Sequence, residues 1–386
     1  MASSLRVNAI VPASGTNVAI GTAGGTITYA ASVSGVSTFT TVSATTVTAT
    51  TITGVATAGI TTAYIGSVND GPLAGFRNFI INGDMAISQR GTSFTDINTY
   101  TVDRWRTFGG PITFTVTQQD SIATYSPSRY AIRFARNSGQ TQTNDSGIAQ
   151  GIETRNSYAL RGKRVTISFK ARCGANYSAA SSTLLARVFT GTGTDENPVS
   201  MTSMNADIAQ SVTLTTSLQS FSVTGTLSSS LTQATLTFSY TPTGTAGAND
   251  WFEVTDVQLE IGDRATPFER RSYGQELSLC RRYFQRIYDP PMRGVATGGT
   301  NGGASRLCLF FSDTMRALPT LTISGTFTFW NGAATQTGGT LAGYFQGGPD
   351  GMDLDITISG AFTQGQAVCA YCQASTSKYV DLIAEL

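Results

Sequence analysis

The sequence predicts an all-β protein with a fibrous N-terminal β segment, a jelly-roll sandwich, one linking helix and a small C-terminal β-sandwich. Charged residues make up 13% of the 386 residues, about half of the ~25% that is usual in globular proteins. Hydrophobic residues make up 40%, which is enough to form a core. Short runs such as Val165–Phe169 and Thr235–Tyr240 alternate apolar with polar residues, which is typical of strands with one buried and one solvated face.

Residues 1–70 differ in composition from the rest of the chain. Arg6 is their only charged residue before Asp70, and Ser and Thr fill 16 of the 35 positions from Ala31 to Ile65. Apolar residues recur there every five positions, at Val42, Val47 and Ile52. This period fits neither a helix nor a flat strand, and it predicts short strands broken by turns. One chain could not bury its narrow apolar stripe alone, whereas three chains wound around each other could. The alternative, a disordered Thr-rich linker, is disfavoured by the regular apolar spacing.

Residues 71–271 carry many short strand patterns separated by turn-forming clusters. Gly191–Asp195 and Gly244–Gly247 are two such clusters. Strands at this spacing predict a sandwich or a jelly roll.

Residues 272–291 are predicted to form the linking helix. Ser272 can cap its start, with Gln275 three residues later as the other half of a capping box. Its apolar stripe consists of Leu277, Cys280, Phe284 and Ile287. Pro290 and Pro291 are expected to end it. Three arginines would be neighbours on the surface of this helix: Arg281, Arg282 and Arg286. For them we favour a solvated or ion-pairing role over contact with a phosphate or a glycan.

Residues 292–386 return to strand patterns, such as Leu307–Phe311 and Leu321–Trp330, with loops marked by Gly298–Gly299 and Gly347–Gly348. They predict a second, smaller β domain.

The residue types argue against an enzyme. The chain has no histidine, which excludes Ser-His-Asp and Cys-His catalysis and every His-ligated metal site. Its five cysteines are an odd, scattered set, and the lone Cys369-x-x-Cys372 lies in an apolar run, so we expect structural thiols. No cofactor is expected. A structural calcium ion bound by Asp side chains and carbonyls is compatible with a jelly roll, but its ligands are not specified.

Charge and hydropathy narrow the list of partners. The formal net charge is +1, so no overall field favours nucleic acid. No run of ~18 apolar residues is present, and we expect no membrane insertion. The N-terminal residues carry no recognisable targeting signal.

Three segments resemble virion proteins of tailed phages, chiefly tail fibres. The first runs from Asn78 to Met85 and on through Ile87–Gly91 to Tyr100–Trp105, and it is similar to the opening of a carbohydrate-binding-module-like jelly roll. The second segment consists of Val257–Gly262, Ala265–Arg271 and Glu276–Phe284. The third consists of Met315–Thr320 and Ala384–Leu386.

The resemblance implies a virion location, with assembly in the host cytoplasm, a jelly-roll fold and a homotrimer. We expect residues 1–70 to anchor the chain or form a stalk, other tail or capsid proteins as partners, and host-surface glycan as the ligand. A capsid-decorating fibre or tail adaptor with no receptor role is the alternative. A glycan depolymerase is a third possibility, with Asp84, Asp96 and Asp103 as candidate acids.

Four residues are candidates for ligand contact. Asp103, Arg104 and Trp105 could offer an indole face and a charged pair to a sugar. The favoured alternative is structural, with a buried Trp105 and with Asp103 paired to Arg104. Trp251 is expected in the core, whereas Trp330 lies beside the hairpin signal Asn331–Gly332 and is the tryptophan expected to be most exposed.

Overall fold

The computed structural model describes residues 76–288, 290, 292–298, 303–325, 327–332, 335–358, 363–371 and 378–386. The chain divides into two units after residue 63, and every described element lies in the second unit, Tyr64–Leu386. The predicted fibrous segment, residues 1–70, lies outside the described residues. No helix in the described part is long and apolar enough to cross a membrane.

Eleven strands form the predicted sandwich. They are β1 Ser93–Phe94, β2 Arg106–Gly109, β3 Phe114–Asp120, β4 Tyr130–Arg136, β5 Ser146–Ile152, β6 Arg164–Cys173, β7 Thr183–Gly191, β8 Asn205–Thr213, β9 Gln219–Thr226, β10 Gln233–Tyr240 and β11 Trp251–Ile261. Six form one antiparallel sheet, in the order β1-β3-β4-β11-β6-β9, and five form the other, β2-β5-β10-β7-β8. The all-β prediction is confirmed.

The inward-facing residues of both sheets form a single core. Ile148 of β5 lies opposite Phe238 of β10 in register, and both are fully buried. Phe134 stacks on Phe114 and Phe252, with ring centroids 4.7 and 5.5 Å apart. Burying one such side chain contributes about 1.5–3 kcal/mol, so the alternating pattern of the sequence accounts for the pairing of the sheets.

The two central strands of the five-stranded sheet, β5 and β10, are buried on both faces. Small residues make this possible. A Cβ on Gly147 would lie 2.0 Å from the carbonyl oxygen of Phe238, which is closer than any real Cβ contact. Glycine at this position therefore allows the two strands to approach.

The helices are short: α1 Ile122–Tyr125, α2 Thr154–Ser157 and α3 Tyr273–Arg281, with 3₁₀ turns at Tyr158–Leu160 and Ala180–Ser182. The predicted capping box of α3 is present, since the Ser272 side chain accepts from the Gln275 backbone N–H and the Gln275 side chain accepts in return. The helix is shorter than predicted. It ends at Arg281, and Phe284 and Ile287 lie in a strand, because their backbones pair with Ile383 and Val380.

In the described part of the chain, nine strands follow α3. They are β12 Phe284–Tyr288, β13 Met292–Gly298, β14 Gly303–Phe310, β15 Thr320–Ser324, β16 Phe327–Trp330, β17 Thr335–Gly347, β18 Gly351–Ile358, β19 Ala367–Tyr371 and β20 Tyr379–Ile383. Six of them close into a barrel, in the order β13-β14-β18-β17-β16-β19, and the other three form the sheet β12-β20-β15. The C-terminal β domain is therefore a barrel with a flanking sheet, and not the expected sandwich. The pairing of β13 with β19 that closes it joins residues far apart in sequence, which no local pattern reveals.

Candidate functional site

Trp105 lies in the interior of the sandwich. Its side chain is 0% exposed, and its Nε1–H donates to the carbonyl oxygen of Asn82 at 3.1 Å. The ring centroid of Phe238 lies 6.2 Å away. Because solvent reaches none of this indole, its position favours the structural interpretation over stacking on a sugar.

Asp103 and Arg104 are also buried, but they do not pair with each other as expected. Asp103 accepts hydrogen bonds from the Gln89 backbone N–H at 2.9 Å and from Gln89 Nε2 at 2.5 Å, and burial raises the pKa of its carboxyl group. Arg104 forms an ion pair with Glu385 and donates to the carbonyl oxygen of Gly151 at 2.8 Å. Both side chains therefore hold the fold together.

The other two tryptophans are more accessible than Trp105. Trp330 is 47% exposed on β16, opposite Cys369 of β19, which in turn lies opposite Arg293 of β13. Trp251 was expected in the core, but it is half-buried, with the guanidinium groups of Arg133 and Arg172 at 4.1 and 5.5 Å from its ring centroid.

The three arginines predicted to share a helix face are separated, and each has an internal carboxylate partner. Arg281 lies 3.5 Å from Asp313, and Arg282 lies 2.6 Å from Glu153. Arg286 lies on β12 and makes two bonds of 2.7 Å to Asp381. These contacts support the pairing role over a ligand role.

A different surface has the features of a binding site: the outward face of the five-stranded sheet, which we call the outer trough. Its floor consists of small side chains, and taller side chains flank it. In register across the sheet, one row is Phe108, Gly147, Ser239 and Leu185, and the next is Arg106, Ala149, Thr237 and Arg187. Phe189 stands two residues beyond Arg187, and the side chains of Phe108, Leu185 and Phe189 are half-buried outside the core.

Several polar atoms in the outer trough are buried without a hydrogen-bond partner among the described residues. They are Thr237 Oγ1, Arg187 Nε, Asp145 Oδ1 and Arg106 Nε. Thr237 is 1% exposed, so its hydroxyl is removed from solvent without compensation. A buried polar group in this state costs about 1–3 kcal/mol, and such groups in a native structure call for an explanation such as a ligand or a bound water.

Arg187 lies across the floor of the outer trough. Its NH2 group donates to Ser239 Oγ at 2.6 Å and to Asp145 Oδ2 at 2.7 Å. Its guanidinium also lies 5.1 Å from the ring centroid of Phe189. Arg187 therefore reaches across the floor beside Thr237, its neighbour in register, and a ligand that bonds to Ser239 must displace it.

The sequence predicts the polar residues on the floor of the outer trough but not the side chains that lie beside them. The alternation in Thr235–Tyr240 correctly places polar residues on one face of β10, but that face is not solvated as expected, since Thr235, Thr237 and Ser239 are all buried. Arg187 and Phe108 come beside these residues through strand register, which the local pattern does not encode. The trough residues were therefore absent from the sequence-based candidates.

The outer trough offers hydroxyl and guanidinium donors, a carboxylate acceptor and flanking aromatic rings. This arrangement can hold a polyhydroxylated ligand by hydrogen bonds and ring contacts. In the described ranges, no group of three or more Cys, Asp or Glu side chains could hold a metal ion.

No family model matches the chain, and no curated protein matches it either. Solved structures are similar to about half of it. The enzymatically active domain of tailspike protein 4 of Bacteriophage CBA120 is 12% identical with a TM-score of 0.30, over 48% of this chain and 21% of that one, so the match spans about a fifth of the tailspike chain. TmCBM61 in complex with β-1,4-galactotriose is 13% identical with a TM-score of 0.30, over 48% and 100%. The C-terminal family 22 carbohydrate binding module of Clostridium thermocellum Xyn10B is 14% identical with a TM-score of 0.28, over 46% and 98%.

Proposed function

We propose that the chain is a non-catalytic subunit of a phage virion fibre that attaches to host-surface glycan through the outer trough. The observation that carries the glycan part is the cluster of buried polar atoms without partners around Thr237. A saccharide presents hydroxyl groups that both donate and accept, so it can satisfy Thr237 Oγ1, Arg187 Nε–H and Asp145 Oδ1 together.

The flanking rings complete the arrangement. Phe108 and Phe189 stand on opposite sides of the small floor residues, where the apolar faces of sugar rings could pack against them. Arg187, held by Ser239 and Asp145 in the free protein, would turn from the floor to the ligand. The free protein would then keep the trough filled until a glycan displaces this side chain.

The virion part of the proposal is supported by the three segments that resemble tail fibres. We propose a homotrimer in which residues 1–70 anchor the chain to other tail or capsid proteins. Three copies of a weak site would raise the overall affinity through multivalency. Trp330, exposed on the barrel, is a second candidate for glycan contact.

Substitution of Thr237 tests the glycan proposal directly. Thr237→Val removes an unpaired hydroxyl and keeps the side-chain shape, so the free energy of unfolding should rise by about 1 kcal/mol. Affinity for a polysaccharide selected from an array of bacterial surface glycans should fall at the same time. Stability and binding would then change in opposite directions, which general damage to the fold does not produce.

Thr255→Val is the matched control. Thr255 is equally buried, but it lies in the other sheet and its hydroxyl donates to the carbonyl oxygen of Tyr130 at 2.6 Å. This variant should lose about 1 kcal/mol of stability and bind as the wild type does. Unchanged glycan binding by Thr237→Val would show that the outer trough is not the site.

Two alternatives have different outcomes. A decorating fibre or a tail adaptor with no receptor role would bind none of the arrayed glycans, although its mass by light scattering could still be three times 40.6 kDa. A depolymerase would release reducing ends from the selected polysaccharide. Of its candidate acids, Asp103 is buried, Asp84 is half-buried and Asp96 is exposed.

A further inference from the structure

A second concave surface lies on the outward face of the six-stranded sheet, which we call the serine groove. It has a volume of about 660 Å³, within the ~300–1,000 Å³ typical of small-molecule sites. Its floor is formed by β6 and β9, and Pro127, Pro267 and Phe268 stand at its walls. The outer trough is on the other sheet of the sandwich, so the two surfaces are separate.

Hydroxyl groups line the floor of the serine groove. Ser168 of β6 lies opposite Ser222 of β9 in register, and Ser220 lies opposite Lys170. Ser220 and Ser222 are exposed and Ser168 is half-buried. Within the described part of the chain, none of the three hydroxyls has a hydrogen-bond partner, so all three remain available to a ligand.

A charged pair stands at the end of the groove. Asp256 is 5% exposed and lies 2.8 Å from Lys170 Nζ and 3.7 Å from Arg270. It also accepts a hydrogen bond from the Ser128 hydroxyl. The Asp256 carboxylate offers a hydrogen-bond acceptor and the Lys170 ammonium offers donors, and the two groups lie 2.8 Å apart.

The backbone at Asp256 is unusual. Its φ is +50°, in the left-handed region that few residues other than glycine adopt. It sits where the register between β11 and β6 shifts, between Thr255 and Gln258. Such bulges re-aim a side chain, and strained backbone of this kind concentrates at functional sites.

We propose that the serine groove is a second saccharide site, for a neutral sugar with adjacent hydroxyl groups. The Asp256 carboxylate would accept from one hydroxyl and Lys170 would donate to the next, which are charge-assisted hydrogen bonds. Phe268, half-buried with Arg270 at 5.5 Å from its ring centroid, would pack on the sugar ring. One chain would then hold two glycan segments, on opposite faces of the sandwich.

A blocking variant tests the site without disturbing the core. Ser222→Trp places a large side chain on the exposed floor of the groove. Thr226→Trp is the matched control, because Thr226 is exposed on the same face of β9, about 13 Å further along the strand. The probes are neutral hexasaccharides of glucose, mannose, galactose and xylose, and binding is measured by saturation-transfer NMR and calorimetry on the full chain.

The wild type, Thr226→Trp and Thr237→Val should all bind at least one probe. Ser222→Trp should bind that probe at least about tenfold more weakly. No binding of any probe by the wild type, or equal binding by Ser222→Trp and Thr226→Trp, would overturn the proposal. Loss of binding in Thr237→Val alone would overturn it and assign the probe to the outer trough, so the two sites are tested separately.

Discussion

Arg104 and Glu385 form a buried ion pair that joins the sandwich to the C-terminal end of the chain, across 281 residues. Their side chains are 1% and 5% exposed. The Arg104 guanidinium also lies 3.5 Å from the ring centroid of Tyr283, so both the Glu385 carboxylate and the Tyr283 ring contact it. Arg90 also approaches Glu385, at 3.0 Å, which makes this carboxylate the centre of the junction.

Glu385→Gln should lower the free energy of unfolding by about 3–5 kcal/mol, because it leaves the buried charge of Arg104 without its partner. Denaturant unfolding measures the change. Asp120→Asn is the control, since Asp120 pairs with Arg129 at 2.6 Å but the two side chains are 49% and 59% exposed. This exposed pair should contribute little to stability, because water and salt screen the two charges. Equal losses in the two variants would contradict the assigned role of Glu385.

The segments that resemble tail fibres meet at this same junction. Asn82 of the first segment donates its backbone N–H to Glu276 of the second. Arg316 of the third donates to the carbonyl oxygens of Ala384 and Glu385 at 2.9 and 3.0 Å. The resemblance therefore covers residues that connect the sandwich, α3 and the barrel domain, and its second segment also includes Pro267, Phe268 and Arg270 of the serine groove.

Alkaline pH should destabilise the fold through two tyrosines with raised pKa, the half-buried Tyr100 and the buried Tyr283. Burial, with the nearby Glu385 carboxylate, raises the pKa of Tyr100 from 10.0 to about 12. Burial, with Glu153, raises the pKa of Tyr283 to about 12 as well. Because the folded pKa lies above the unfolded one, stability is complete below pH 10 and falls as the pH rises from 10 towards 12.

Denaturant midpoints across this window, with tyrosinate absorbance measured in parallel, test the expectation. Tyr100→Phe should cost about 1 kcal/mol at neutral pH, because it removes the hydrogen bond to the Leu386 carbonyl oxygen. It should also make the fall above pH 10 less steep. A fall as steep as that of the wild type would mean that Tyr100 does not contribute.

Two glycine substitutions should have opposite effects. Gly147→Ala places its Cβ 2.0 Å from the Phe238 carbonyl oxygen, and it should destabilise the sandwich by at least about 1–3 kcal/mol. Gly274→Ala, in α3 with nothing within 4 Å of the new Cβ, should stabilise the protein by about 0.5–1 kcal/mol. Thermal unfolding of both variants measures the contrast. A stable Gly147→Ala variant would mean that the central strands can separate without loss.

The sequence predicted the features that depend on local pattern. The strand alternation in Val165–Phe169 and the capping box at Ser272 are both present. It failed where distant pairing overrides the local pattern. Phe284 and Ile287 have helical spacing, yet pairing with β20 makes them a strand. The outer trough and the serine groove depend on register and on a bulge at Asp256, and neither can be read from one strand alone.

The sign of one substitution in the outer trough tests the role of Arg187. Arg187→Met keeps a long side chain that can pack on Phe189, but it removes the guanidinium that bonds to Ser239 and Asp145. Asp145 is 38% exposed, so water can solvate its carboxylate, and stability should fall by only about 1 kcal/mol. Affinity for the selected polysaccharide should fall at least about tenfold if the Nε–H contacts the ligand.

Arg133→Met, the same change on the other sheet, should leave the affinity unchanged, since Arg133 pairs with Glu253 at 2.5 Å. Tighter binding by Arg187→Met would show instead that Arg187 only covers the floor and competes with the glycan.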